Sequence, residues 1–371
     1  MDFNFFMPVR IVSGKNAVAG NSALLKPLGS RCLIVTGASS ARLSGALDDI
    51  ISALQKEGIA YDIFDGIGQN PLISTCHSAG ARARAFEADF IVGIGGGSPL
   101  DAAKAVAIYT SNADLQPMDI YKRTYANNPL PVVLIGTTAG TGSEVTGVSV
   151  LTVDETGRKK SIMGSDCYAK IAFADPKYTY SVPYDITVST GLDAFSHGVE
   201  AWFTPKCTGV SKCFAVKGIP MLWSSLKTLH LSYELPAKHV RDDLYFGSLY
   251  TGLAINACGT AFPHPLGYIL TENYGVPHGK ACAMFLPPFL RRAHKYEPQK
   301  LAELLALLQT DLDTLCKAIA GQIGLPNIHI TQGQATQYAE RWVAESPRNF
   351  DSSPGGLTVN EARELLANIN N

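Results

Sequence analysis

This sequence is short of net charge, of paired cysteines and of long apolar runs, and each shortage removes a class of function. Lys and Arg number 31 against 32 acids, for a net charge of −1. Proteins that neutralise a phosphate backbone carry a basic stripe; none is visible here, so nucleic acid is not expected as a partner. The eight cysteines, at 32, 76, 167, 207, 213, 258, 282 and 316, include no C-x-x-C. They read as reduced thiols of a cytoplasmic protein, many of them small buried hydrophobes, rather than a disulfide frame or a zinc cage. No apolar run of about 18 residues escapes a charge or a breaker, so no membrane span is expected. The start, M-D-F-N-F-F-M, has an acid at position 2 and no positive region before an apolar stretch, unlike a secretory signal. The dinucleotide fingerprint G-x-G-x-x-G is missing too.

What is present is an ordinary globular makeup, 46% apolar with 34 glycines, in 371 residues, too many for one comfortable core. Two domains are expected. Arg31–Thr36 is a short apolar β-rich run ending at Gly37, the pattern of a buried parallel strand. Apolar residues at 43, 46, 47, 50, 51 and 54 follow at helical spacing, and Gly58 closes that helix, expected over 43–57. The strand pattern returns at 60–64, 90–94 and 132–135, with helical stretches at 74–87 and 101–108. This alternation predicts a doubly wound parallel sheet, an α/β domain, over residues 1–182. Helical periods then dominate at 187–203, 211–231, 243–258, 300–321, 332–344 and 358–369. Residues 183–371 are therefore expected to form an all-α domain.

Two glycine-rich loops follow adjacent strands: G-G-G-S-P at 95–99 and G-T-T-A-G-T-G-S at 136–143. Glycine lets the backbone come close to a phosphate, and a helix start offers free N–H groups and the positive end of a dipole. Two such loops at neighbouring strand ends make the crevice where ligands sit in open α/β sheets. Gly96, Gly97 and Ser98 in the first loop and Thr137, Thr138, Thr141 and Ser143 in the second are the candidate contacts, although such hydroxyls also serve turns. Asn70, after the strand at 60–64, is expected at the same sheet edge.

The second half carries D-A-F-S-H-G-V-E at 193–200 and a stretch from H-P-L-G at 264–267 to P-H-G at 277–279. Asp193 and His197 are four apart, on one helix face at adjacent turns. His264 and His278 add two imidazoles, each beside Pro or Gly. A carboxylate with up to three imidazoles suits a divalent first-row metal. D-x-x-x-H or P-H-G alone is common by chance; their company points to an ion. The remaining histidines, at 77, 230, 239, 294 and 329, lack partners at ligand spacing.

Taken in order, G-G-G-S-P-L-D-A-A-K (95–104), G-T-T-A-G-T-G-S-E-V-T (136–146), D-A-F-S-H-G-V-E, H-P-L-G and P-H-G resemble the iron-containing (group III) alcohol dehydrogenases over nearly the whole chain. The resemblance implies a Rossmann-like N-terminal domain and a helical C-terminal domain, the dehydroquinate synthase-like plan, with NAD(P) and a divalent metal between them. It implies a cytoplasmic, metal-dependent NAD(P)(H) alcohol dehydrogenase or aldehyde reductase. Its partners would be a small alcohol or aldehyde and further copies of itself, as a homodimer or larger homo-oligomer. By motif, the ligands of Fe2+ or Zn2+ are Asp193, His197, His264 and His278. Gly96, Gly97 and Ser98 would lie against the pyrophosphate, Asp101 near the nicotinamide, and Thr137, Thr138, Thr141 and Ser143 along the nucleotide. Lys160, in G-R-K-K-S, matches a lysine that meets the nicotinamide ribose, and reads equally as part of a solvated basic pair.

Two departures matter. The family shows H-x-x-x-H-P-L-G, with the first His a ligand. Keeping the literal H-P-L-G match puts Thr260 in the ligand place and inserts four residues before His278. A gap-free register instead makes His264 the ligand and Tyr268 the occupant of the second position, where a proton-shuttling imidazole commonly sits. This register keeps four ligands, and it makes Tyr268 the candidate catalytic residue. Pro263 and Pro265 are expected to interrupt the local helix. The second departure is T-G-A-S-S-A-R at 36–42, where NAD-preferring members carry an acid. Gly37, Ser39 and Ser40, with Arg42, give room, donors and charge, so NADP(H) is expected ahead of NAD(H); the same residues also suit a helix cap.

Glu200 is expected to orient His197, and Phe195, Phe262, Tyr268 and residues 147–151 to wall the substrate pocket. A dehydroquinate-synthase-like or glycerol-dehydrogenase-like enzyme is one rival. A lyase of that kind would want a basic cluster for phosphate, whereas Lys206, Lys212, Lys217 and Lys227 are interleaved with apolar positions. The broken H-x-x-x-H leaves an opening for a second rival, a catalytically silent nucleotide-binding protein.

Overall fold

A run such as Cys-Leu-Ile-Val at 32–35 has no polar face to offer water, so a strand made of it must be covered on both sides. The computed structural model describes residues 3–232, 234–324 and 328–369. In the unit formed by Phe6–Val182, six strands make one parallel sheet and two more a small antiparallel pair. The strands are β1 (Arg10–Ser13), β2 (Arg31–Thr36), β3 (Ala60–Phe64), β4 (Phe90–Gly95), β5 (Val132–Gly136), β6 (Val148–Thr152), β7 (Lys159–Met163) and β8 (Ile171–Ala174). The large sheet runs β1-β8-β5-β4-β2-β3, and β6 pairs with β7. Successive residues of β2 face opposite cores. Leu33 and Val35 pack with Ile73, Cys76 and Val106 on one side; Cys32 and Ile34 pack with Leu47, Ile50 and Leu54 on the other.

From β2 the chain steps outward to β3, then returns past β2 to β4 and continues the other way through β5 and β8. The reversal lies between β2 and β4, so the ends at Thr36 and Gly95 flank the crevice that such sheets use for ligands.

The helices of this unit are α1 (Ser40–Leu43), α2 (Ala46–Lys56), α3 (Ile73–Ala85) and α4 (Gly97–Ser111). The single helix expected over 43–57 is instead broken at Gly45, which takes φ 78°. α4 begins at Gly97 itself, earlier than expected, and is buried on nearly every side from Pro99 to Thr110. A helix without a polar stripe gives periodicity nothing with which to mark its ends.

The second unit comprises residues from Pro183 onward together with residues up to Phe5. Its helices are α5 (Tyr184–Phe203), α6 (Gly209–Ser232), α7 (Lys238–Cys258), α8 (Pro263–Tyr274), α9 (His278–Ala283), α10 (Leu286–Tyr296), α11 (Pro298–Leu308), α12 (Leu312–Ile323), α13 (Gln332–Glu345), α14 (Pro347–Asp351) and α15 (Val359–Ala367). Among the described residues no strand follows β8, and no helix is long and apolar enough to cross a membrane. Glycines let the central helices close in: a Cβ on Gly198 of α5 would lie 2.6 Å from Ile219 of α6 and 2.7 Å from Thr251 of α7.

Candidate functional site

α5 carries Asp193, His197 and Glu200 on successive turns, and all three are buried. α8 opens Pro263-His264-Pro265, with its prolines in the first turn, where a missing N–H costs nothing. The prolines therefore begin this helix rather than interrupt it, contrary to expectation. α9 begins on His278. Gly279 explains how α9 reaches α5: a Cβ there would strike the carbonyl oxygen of Ser189 and lie 2.8 Å from Cβ of Asp193. Gly267 does the same between α8 and α9, where a Cβ would lie 2.8 Å from Sγ of Cys282.

These approaches bring three imidazoles to one carboxylate. Oδ1 of Asp193 lies 3.7 Å from Nε2 of His264, 3.7 Å from Nε2 of His278 and 4.0 Å from Nε2 of His197. The rings of His197 and His264 stack at 4.5 Å. His264 is thus the imidazole at the carboxylate, while Thr260, its rival in the other register, accepts a hydrogen bond from Asn349 at 2.9 Å. Glu200, expected to orient His197, holds the ring of His264: its Oε1 lies 2.6 Å from Nδ1 of that residue.

Oδ1 of Asp193 and Nε2 of His264 are buried with no hydrogen-bond partner among the described residues. Buried polar atoms are costly in that state, and a cation among them satisfies both. Burial opposes charge on Asp193, but the fields of His197, His278 and His264 outweigh it and hold the carboxyl well below the usual carboxylate range. Burial likewise opposes a charged His264, yet the carboxylates of Glu200 and Asp193 push it up to about 10. A pocket that draws a proton onto a buried imidazole is built for positive charge, so this nitrogen and oxygen donor set fits a divalent ion.

Tyr268 is half-buried, its ring stacked on His278 at 5.1 Å and 10° and set against Trp342 at 5.4 Å. Phe195 and Phe262, expected in pocket walls, are core residues: the first stacks on Trp223, the second meets Phe289 edge-on. Lys212 pairs with Glu303 over the ring of Trp202, and Lys227 lies over Trp223. Cys282, one turn after His278, sits against that imidazole. The spacing H-x-x-x-C from 278 to 282 is the sequence signal for this contact.

In the first unit, Gly37 follows β2, Gly96, Gly97 and Ser98 follow β4, and Thr137, Thr138, Thr141 and Ser143 follow β5. The two glycine loops touch: a Cβ on Gly96 would lie 3.2 Å from Oγ1 of Thr138, and one on Gly97 would press on Thr141. Asn70, at φ 56°, donates its backbone N–H to Oγ of Ser98 at 3.1 Å. Oγ1 of Thr137 is buried without a partner among the described residues, as a site for a polar ligand would leave it. Ser39 and Ser40 are exposed, and no side chain caps α1.

Asp101 and Ser143 hold one another. The Ser143 hydroxyl donates to Asp101 at 2.6 Å, and the N–H of Val150 donates to the other carboxylate oxygen at 2.9 Å. Fully buried Lys104 donates to Ser143 and to the carbonyls of Thr146 and Val148 at 2.6–3.1 Å. The carboxylate expected near nicotinamide is thus tied into the protein by two hydrogen bonds. Lys160, exposed on β7, rests its ammonium 4.5 Å from the centre of the Tyr121 ring.

Comparison with known proteins agrees in both units. Residues 8–176 match the family described as iron-containing alcohol dehydrogenase, and residues 187–323 match the C-terminal part of the Fe-containing alcohol dehydrogenase family. The 1,3-propanediol dehydrogenase of Klebsiella pneumoniae is 32% identical over 345 residues, 87% of this chain and 87% of that protein. The crystal structure of an iron-containing alcohol dehydrogenase from Thermotoga maritima matches with a TM-score of 0.90 at 33% identity, over 99% of each chain. Sulfoacetaldehyde reductase from Bifidobacterium kashiwanohense, solved in complex with NAD+, matches with a TM-score of 0.87 at 27% identity, again over 99% of each chain. The chain belongs to the iron-containing alcohol dehydrogenase family.

Proposed function

We propose that this chain interconverts a primary or small secondary alcohol and its carbonyl compound, with a divalent ion held by Asp193, His197, His264 and His278. The observation that carries the reading is the pair of buried donor atoms, Oδ1 of Asp193 and Nε2 of His264, 3.7 Å apart and lacking hydrogen-bond partners among the described residues. When bound, the ion supplies Lewis acidity to the substrate oxygen and the nicotinamide supplies or accepts hydride. The chain's own residues set up the rest. Asp193 brings the negative charge, Glu200 holds His264 by Nδ1 so that Nε2 faces the carboxylate, and the Tyr268 hydroxyl moves the proton between substrate oxygen and solvent. An all-nitrogen and oxygen set of this kind suits Fe2+ or Zn2+.

The nicotinamide cofactor is assigned to the loops after β2, β4 and β5. Gly37, Ser39 and Ser40 are read as the 2′-phosphate side, which favours NADP(H), because no acid stands there to repel it. NAD(H) is the alternative, and the NAD+ complex of the sulfoacetaldehyde reductase speaks for it. Asn70, Gly96, Gly97, Ser98, Thr137, Thr138 and Thr141 are read as the nucleotide cradle, with Asp101, Ser143 and Lys160 toward the nicotinamide half. Relatives named for 1,3-propanediol and sulfoacetaldehyde support a short-chain substrate. A homo-oligomer in the cytoplasm completes the reading.

The test is a panel of aldehydes with NADPH and NADH, run on protein purified without chelator and assayed for metal. Cofactor oxidation in step with carbonyl loss, abolished in His278→Ala together with bound metal, is the expected result. Full activity in His278→Ala would overturn the ligand assignment.

A further inference from the structure

Resting on the metal site just described, we propose that Cys282 is an additional, sulfur ligand of its ion. Cys282 stands four residues after His278 on α9, so the two side chains rise from one face of the helix. Its Sγ lies 3.6 Å from Nδ1 and 3.7 Å from Nε2 of that imidazole. Asp193, His264, His278 and Cys282 each offer a donor atom, and these atoms all lie within 4.8 Å of one another. Two of the four, Oδ1 of Asp193 and Nε2 of His264, are the buried atoms without hydrogen-bond partners among the described residues, so the cluster is aimed at a ligand independently of the thiol.

A buried cysteine is ordinarily a small hydrophobe. Cys32 is one: it lies inside a strand within an apolar core. Cys282 faces imidazole nitrogens instead. It is also held from behind, because the missing side chain of Gly267 brings α8 against its backbone and sulfur, where a Cβ would come within 2.9 Å. Thiol and ion combine as S–H plus M2+ giving S–M, with the proton released to solvent and no change of oxidation state. A soft sulfur beside imidazoles and a carboxylate moves the preference of the site from iron toward zinc.

X-ray absorption at the zinc edge of the zinc-loaded full-length protein tests this. One sulfur scatterer at about 2.3 Å, beside nitrogen and oxygen at roughly 2.0–2.1 Å, is expected, and it should vanish in Cys282→Ser. Cobalt-substituted protein should show a sulfur-to-metal charge-transfer band in the near ultraviolet that the same variant lacks. The wild-type spectra decide by themselves if Cys282→Ser fails to fold. A full equivalent of zinc surrounded only by nitrogen and oxygen overturns the sulfur ligand and leaves the carboxylate and histidine assignment standing. Failure to bind an equivalent of zinc overturns both.

Discussion

Glu200 and His264 are joined through buried atoms, Oε1 to Nδ1 at 2.6 Å, and the other carboxylate oxygen of Glu200 accepts the N–H of Ala261 at 2.8 Å. A glutamate fixed at both oxygens leaves His264 little freedom. With Nδ1 engaged by Glu200, Nε2 is the nitrogen left facing Asp193, and it is the one that would give up its proton to bind a metal.

Glu200→Gln keeps the shape and removes the charge that engages Nδ1. Metal affinity should fall by about 10–100-fold, the usual cost of losing such an outer partner, while the fold survives. Competition for zinc against a chelator of known affinity measures it. Unchanged affinity would leave Glu200 a packing role only.

Gly279→Ala tests the approach of α9 to α5. The added methyl meets the backbone carbonyl of Ser189 and Cβ of Asp193, neither of which can swing aside. Destabilisation at or above the top of the ~1–3 kcal/mol range for overpacking is expected, with metal lost as His278 is pushed away. Urea unfolding and metal analysis of the purified variant give both numbers.

Much of this could be read from residues alone, for identifiable reasons. The strands of the parallel sheet announce themselves because burial on both faces demands unbroken apolar runs, as in Arg31–Thr36. The spacing of Asp193 and His197 survives translation because a helix turn fixes which side chains share a face. What could not be read depends on contacts distant in sequence. Which ring Glu200 would meet was one such fact, since His264 arrives 64 residues later. The burial of Phe195 and Phe262 was another, decided by Trp223 and Phe289 on other helices. Gly45 split a helix that apolar spacing ran straight through, because periodicity does not register a left-handed backbone.

Gly37→Asp probes the end of β2. An acid here should repel a 2′-phosphate and accept a ribose hydroxyl, so the ratio of kcat/KM for NADPH to that for NADH should fall at least about tenfold if the site bears on the adenosine ribose, a change of ~1.4 kcal/mol. The new Cβ would lie 3.0 Å from the carbonyl oxygen of Ile67, so a modest loss of thermal stability should accompany the switch. A ratio that does not move would take Gly37 out of the cofactor site.

Lys104→Met separates architecture from catalysis. Lys104 is fully buried and 3.6 Å from Asp101, and it ties α4 to the chain leading into β6 through Ser143, Thr146 and Val148. Burial lowers its pKa and raises that of Asp101, so each leans on the other to remain charged. Removing one member of such a pair costs about 3–5 kcal/mol. Denaturant unfolding should show a loss of that size, and a loss under ~1 kcal/mol would mean that Asp101 had already taken up a proton.

Tyr268 carries the sharpest prediction about chemistry. Its ring lies parallel to the His278 imidazole, so Tyr268→Phe retains the stack and removes only the hydroxyl. If that hydroxyl moves the proton, kcat should drop by ~10²–10⁴-fold, the range for general acid–base groups. Metal content should stay at the wild-type level, because the ring packed on His278, a proposed ligand, is retained. Tyr268→Ala should lose both activity and metal, since His278 then loses its stacking partner. Replacement by histidine restores a group able to pass a proton, so Tyr268→His should recover part of the rate, with a pH dependence near that of an imidazole. A Tyr268→Phe enzyme with full activity would assign proton movement to water and leave the tyrosine as a support for His278.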